Sequence, residues 1–238
     1  MMNSIKQHQE MGYDRSVGMF SPDGLLLQVE YAEKAVKLGT SVLALTTKEG
    51  LVFIGDRKIK SKLLVKDSFK KVFEVDNHIL IAGSGVMSDG RRLIEQSQIT
   101  SQEHKVKFQN PIDVLQLVKD IANIQQHYSQ MGGLRPFGVS LLVGGVEDRE
   151  SKLWQTTPSG IYMRFLARCT GSLSDKINEE LEKDYKENLS NKDAVKLGLK
   201  LFKKFLEDEY DPQRFDVVTM DLDENIKRWS IDDFKNYV

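Results

Sequence analysis

Residues 20–39 read FSPDGLLLQVEYAEKAVKLG, running from Phe20-Ser21-Pro22-Asp23-Gly24 through Leu25 and Leu38 to Gly39. The opening is a turn: Pro22 presets its own φ and Gly24 closes the reversal. The rest has a helical period. Leu25, Val29, Ala32 and Val36 recur on one face. Glu30/Lys34 and Glu33/Lys37 stand four apart on the other side, in the favourable order. Leu26, Leu27 and Tyr31 widen the apolar surface. The spacing predicts a helix over 24–38 with Gly39 at its C′ position. A helix of that length is marginal alone in water, so its apolar face must lie on something.

Outward from this stretch, the chain has 238 residues, 40% hydrophobic and 29% charged, which is enough apolar content for one sizeable core. The formal net charge is -1, so nothing favours nucleic acid. No apolar run reaches the ~18 residues of a membrane span. Residues 1–12, MMNSIKQHQEMG, lack the apolar region of a secretory signal. They read as a mobile polar tail ahead of one domain over 13–238. The only cysteine is Cys169, which excludes an internal disulfide and is compatible with the cytoplasm. His8, His78, His104 and His127 show no metal-ligand spacing, and no cofactor motif is present.

After the first helix come β-rich runs at Ser41 to Thr47, Leu51 to Asp56, Lys71 to Val75 and Ile79 to Ser84. Four strands in succession predict an antiparallel sheet rather than βαβ units. Ser88 or Asp89 is placed to cap a helix reaching about Lys105. Asn110-Pro111 is read as opening the next, which Gly132-Gly133 ends. Strands return at 138–144, 152–155 and 161–167. A helix carries Ile177, Leu181 and Tyr185, and another follows the capping pattern Ser190-Asn191-Lys192-Asp193. Strands at 216–221 and 226–230 close the chain. This order suits two facing sheets between two helical layers.

Hydrolase and nucleotide motifs are missing: there is no G-x-S-x-G, P-loop, H-E-x-x-H or C-x-x-C. Ser84, between Gly83 and Gly85, resembles an exposed nucleophile, but no histidine shares a motif with it; it reads as a strand-to-helix turn.

A series of motifs is more specific. Tyr13-Asp14-Arg15, Phe20 to Gly24, and Gln28-Val29-Glu30-Tyr31-Ala32 resemble the N-terminal signature of proteasome α-subunits. The resemblance continues through Gly55-Asp56-Arg57-Lys58, Ser84-Gly85 and the run Gly132 to Ser140, in the family's order. It implies the α+β, four-layer αββα sandwich of N-terminal-nucleophile hydrolases. It also implies a non-catalytic subunit, of the archaeal type, with no catalytic residues of its own. The chain would sit in a seven-membered ring of α-subunits, stack on β-subunits, form a gated pore and bind the C-terminal tails of AAA+ unfoldases. The matching positions are Tyr13, Asp14, Arg15, Pro22 and Tyr31 for the gate. For the unfoldase tail they are Lys71, Gly39, Gly85 and Glu30, and for the pore rim Met131, Gly132 and Gly133. Lys70 and Lys71, as strand neighbours, face opposite ways, so one of the two can enter a pocket. Met131, Glu33 and Gly18-Met19 depart from residues frequent at those places.

One alternative concerns Gly39-Thr40. Catalytic β-type relatives mature by cleavage after such a glycine, which frees a threonine amine as base. Thr40, Asp56 and Lys71 stand at nearly those spacings. An α-amine with a pKa of about 8 can accept a proton; an uncut amide cannot. Cleavage would also discard residues 1–39 and the signature they carry. A free-standing binding domain is the other alternative, and it predicts a monomer.

Overall fold

The computed structural model describes residues 10–59, 61, 63–65 and 68–237. Helix α1 spans Leu27–Leu38, and strands β1 (Val42–Thr47) and β2 (Gly50–Asp56) follow as a hairpin. Strands β3 (Val72–Asp76) and β4 (Ile79–Gly85) form a second hairpin. Helices α2 (Met87–Phe108) and α3 (Val114–Gln130) come next, then β5 (Val139–Glu147), β6 (Glu150–Thr156), β7 (Tyr162–Phe165) and β8 (Ala167–Thr170). Helices α4 (Ser174–Asp184) and α5 (Asn191–Leu206) precede two 3-10 turns, strands β9 (Phe215–Asp221) and β10 (Ile226–Arg228), and the short helix α6 (Ile231–Phe234).

The strands form two five-stranded antiparallel sheets, ordered β10-β9-β2-β1-β8 and β3-β4-β5-β6-β7. The first four strands therefore do not share a sheet; each hairpin belongs to a different one. Three apolar layers explain why. Leu43, Leu45, Val52 and Ile54 face Val195, Leu199 and Phe202 of α5 and Ile177 of α4. Ile79, Ile81, Leu141 and Val143 face Leu93, Leu117, Val118 and Ile121 of α2 and α3. The other faces, Val42, Ala44 and Phe53 against Leu80, Ala82 and Leu142, meet between the sheets. A strand covered on both faces favours a near-continuous apolar run, and all of β1 and β2 is buried. The stretch 161–167 was expected as one strand. It splits instead: β7 pairs with β6 and β8 with β1, in opposite sheets. Leu166 lies at the crossing, and its carbonyl accepts from Thr46 N at 2.7 Å.

Helix starts differ from their expected caps. α1 begins at Leu27, not at 24, because residues 20–26 are closed into a small loop. Ser21 N donates to Leu25 O at 2.9 Å, Leu25 N to Ser21 Oγ at 3.2 Å, and Phe20 bridges Leu26. α2 begins at Met87, and neither Ser88 nor Asp89 caps it. α3 begins at Val114 rather than at Asn110-Pro111. His78 holds the Ile112 carbonyl at 2.9 Å, and Val114 N donates to Glu147 of β5, which supplies the missing acceptor from another element. Ser190 does cap α5, accepting from Asp193 N at 3.1 Å.

Leu27, Val29, Ala32 and Val36 of α1 are buried against the chain itself, where the helix crosses β4 and β5. The inward face is thus shifted from Leu25 to Leu27. Phe20 and Leu38 remain exposed. Among the described residues, no helix is long and apolar enough to cross a membrane.

Candidate functional site

Of the sequence-derived positions, Gly39, Gly85 and Lys71 lie around the end of β4. Gly39, at the end of α1, has φ -73 and ψ 155, so it is not a left-handed cap as its position after the helix had implied. Its glycine identity is steric instead: a Cβ there would lie 2.2 Å from Gly85 N. Gly85 itself has φ +116, a conformation that favours glycine. Ser84 is fully buried and donates to the Val36 carbonyl at 3.3 Å. It is a strand-end hydroxyl tied to α1, in keeping with the turn reading.

Lys71 comes to this joint from the start of β3. It is 2% exposed, and Nζ lies 3.3 Å from Gly83 O and 3.5 Å from Met87 Sδ. Burial away from water pulls its pKa from 10.5 down to about 8, with the Asp56 carboxylate acting in the opposite direction. Its backbone is held independently. Asp216 Oδ2 accepts from Lys71 N at 2.8 Å and Val72 N at 3.0 Å, and Arg228 pairs with Asp216 Oδ1. Lys70 points the other way and is exposed, beside an apolar groove lined by Phe69, Phe73, Met87 and Arg91. Gly39 thus lies against Gly85, Lys71 reaches Gly83 and Met87 on either side of Gly85 along the chain, and Glu30 sits half-buried on α1. One turn on, burial raises the pKa of Glu33, and nearby Glu30 adds to the effect.

The trio Thr40, Asp56 and Lys71 is differently wired. Thr40 lines a cleft that it shares with Asp56 and Arg214. Both Asp56 oxygens are taken by the Arg214 guanidinium, each at 2.7 Å. Arg214 is 7% exposed and went unnoticed in the sequence, since arginine alone carries no such signal. The turn residues Asp211-Pro212 just ahead of it were the available clue.

In the N-terminal segment, Tyr31 Oη donates to Asp14 Oδ2 at 3.5 Å. Gln28 Nε2 donates to Asp14 O at 2.5 Å, a partner not foreseen. Pro22 and Arg15 are exposed, and Tyr13 is half-buried. Residues 1–9 of the expected tail lie outside the described residues. Met131 is 47% exposed, and a Cβ on Gly132 or Gly133 would meet nothing within 4 Å, so this tip is open. Behind it, Arg135 is clamped to Asp89, a pairing the sequence did not disclose. Among the described residues, no group of three metal-ligating side chains comes together.

Two antiparallel sheets between paired helices, with a Gly-Thr junction at the head of β1, define a sandwich of the N-terminal-nucleophile hydrolase type. Within that class the similarities are specific. Residues 36–220 match the family model of proteasome subunits, and residues 13–35 match the N-terminal signature of A-type proteasome subunits. The chain is 41% identical to the proteasome α-subunit of Archaeoglobus fulgidus over 230 residues, covering 96% of this chain and 93% of that protein. It is 36% identical to the counterpart in Methanosarcina acetivorans, with 96% and 93% covered. It is 37% identical to that of Methanothermobacter thermautotrophicus, with 97% and 93% covered. The chain belongs to the proteasome α-subunit family.

Proposed function

We propose that this chain is a non-catalytic, cytoplasmic α-subunit of a proteasome core particle. It assembles with six other α-subunits into the outer ring, stacks on β-subunits, gates the pore and docks the C-terminal tails of AAA+ unfoldases. The observation that carries this is the match of residues 13–35 to the α-type signature. Those are the residues that a β-type precursor would discard on cleavage at Gly39-Thr40. Beside that signature, both oxygens of the Asp56 carboxylate are already occupied by Arg214.

For docking, the supporting feature is a cation beside two glycines. A tail brings a terminal carboxylate and a backbone that must approach closely. Lys71 supplies the cation, and Gly39 and Gly85, packed on each other and on Gly138, form the wall beside it, with Glu30 on the neighbouring helix. Burial of Lys71 means that Met87 must swing aside for a tail to reach it. A second reading follows from Lys70, which with Arg91 lies over the apolar groove of Phe69, Phe73 and Met87. For gating, Asp14, Tyr31 and the Pro22 turn hold the base of the tail, with Tyr13 and Arg15 alongside, and Met131 to Gly133 form the pore rim.

The test combines native mass with substitution. A heptamer or double heptamer is expected, and a monomer would overturn the reading. In assembled cores, Lys71→Ala should weaken unfoldase-stimulated degradation more than Lys70→Ala. The reverse order would move the pocket to the Lys70 groove.

A further inference from the structure

One carboxylate holds both ends of the run Arg135-Pro136-Phe137-Gly138. Asp89, in the first turn of α2, accepts from Arg135 Nη1 at 2.6 Å and Nη2 at 2.8 Å, and from the Gly138 amide at 2.9 Å. Arg135 Nη1 also donates to Pro136 O at 3.0 Å, folding the loop onto itself. The two-pronged contact uses the planar fork of the guanidinium, which sets direction as well as charge.

The backbone around Asp89 is equally tight. Val86 N donates to Gly138 O at 2.8 Å. A Cβ on Gly85 would lie 2.1 Å from that same oxygen, and one on Gly138 would lie 2.9 Å from Val86. Gly39 presses on Gly85 from the other side, and Met87 Sδ touches Lys71 Nζ. The stretch 85–89 therefore touches Lys71 through the Met87 side chain on one side and packs against the 135–138 run on the other, there with backbone against backbone. Such contacts transmit a shift rather than absorb it. The tip at Met131, Gly132 and Gly133 lies beyond the clamp, in open space.

We propose that Asp89 is a positioning residue: its grip on Arg135 and Gly138 couples the Lys71 pocket to the 131–134 tip. A pocket occupant that displaces Met87 moves the first turn of α2, and the clamp carries that movement to the loop. This inference rests on the docking role of Lys71.

The test separates binding from coupling. Assembled cores carrying the wild-type chain, Asp89→Asn or Arg135→Gln are given an unstructured protein substrate. Degradation is measured with and without a free peptide made of the C-terminal tail of an AAA+ unfoldase. Peptide affinity is measured separately by fluorescence anisotropy. The wild type should be stimulated at least about fivefold, the lower end of common couplings between sites, and both variants less than about twofold, with affinity held within about twofold. Variants stimulated like the wild type would overturn the coupling. So would a parallel loss of affinity, which would make the pair a support of the pocket itself. A wild-type core that ignores the peptide would overturn the docking reading and this inference with it. If Asp89→Asn does not assemble, Arg135→Gln carries the test, because that side chain is 63% exposed.

Discussion

Replacing Lys71 with methionine should make the chain more stable at neutral pH. The pKa falls from 10.5 to about 8, which is about 2.5 units, or about 3 kcal/mol disfavouring the charged form in the folded state. Below about pH 8 the ammonium is charged in both states and the whole penalty is present. Between about pH 8 and 10.5 the unfolded chain binds more protons than the folded one, so stability rises with pH. Above that range both states are neutral and the penalty is gone. Methionine keeps the unbranched stem and removes the charge, but forfeits the hydrogen bond to Gly83 O, worth about 1 kcal/mol. Lys71→Met should therefore stabilise by about 2 kcal/mol at pH 7 and lose that advantage by about pH 10. The assay is urea unfolding of both chains at fixed protein concentration, at pH 7 and pH 10, taking only the difference between them so that other titrations cancel. A difference that does not change with pH, or a destabilised variant at pH 7, would refute the burial of the charge. A lysine kept at such a cost to stability suits a residue with a task, since a bound carboxylate would stabilise its charged form.

Further outcomes follow from other contacts. Val29→Asp should unfold the chain itself, by several kcal/mol, because that position faces its own sheet, whereas Leu38→Asp, at 86% exposed, should shift stability by no more than about 0.5 kcal/mol; thermal unfolding separates them, and native mass then shows whether Leu38 serves ring contacts. Gly39→Ala should cost at least about 2 kcal/mol, since its Cβ would strike Gly85 N, while Gly132→Ala should be close to neutral in the same melt. Burial opposes the charged form of Asp89, but its bonds from Arg135 and Gly138 outweigh burial and hold its pKa below the usual carboxylate range. Its stabilising share is therefore full above about pH 4 and lost as pH falls below, and Arg135→Gln should flatten that acid limb in pH-dependent unfolding.

Much of the fold was legible along the chain, for a physical reason. Strands covered on both faces favour near-continuous apolar runs, and β1, β2, β4 and β5 show them with a few buried polar residues. Helices with one buried face require a helical period, and α3 and α5 show it. Boundaries were less legible where a side chain serves a distant element. Asp89 looked like a cap and is instead a clamp on Arg135. Asn110-Pro111 looked like a helix start, but the chain there is held by His78 and the cap comes from Glu147. The site was half legible. Gly39, Gly85 and Lys71 were singled out by the family resemblance, whereas Arg214, Asp216 and Arg228 stand far along the chain with no local pattern.

What the sequence determined alone was the local and the repeated: the helix after the Ser21 turn, the strand runs, the family signature between Tyr13 and Ala32, and the absence of hydrolase motifs. These depend on neighbours within a few positions, where sterics and periodicity act. Tertiary structure decided which sheet each hairpin joined, where 161–167 broke, and that the inner face of α1 is satisfied by its own chain. It also decided that Lys71 is buried and that Asp56 is occupied by Arg214. Burial and charge pairing depend on what folding brings across 100 or more positions, such as the 158 separating Asp56 from Arg214, and no local pattern encodes them.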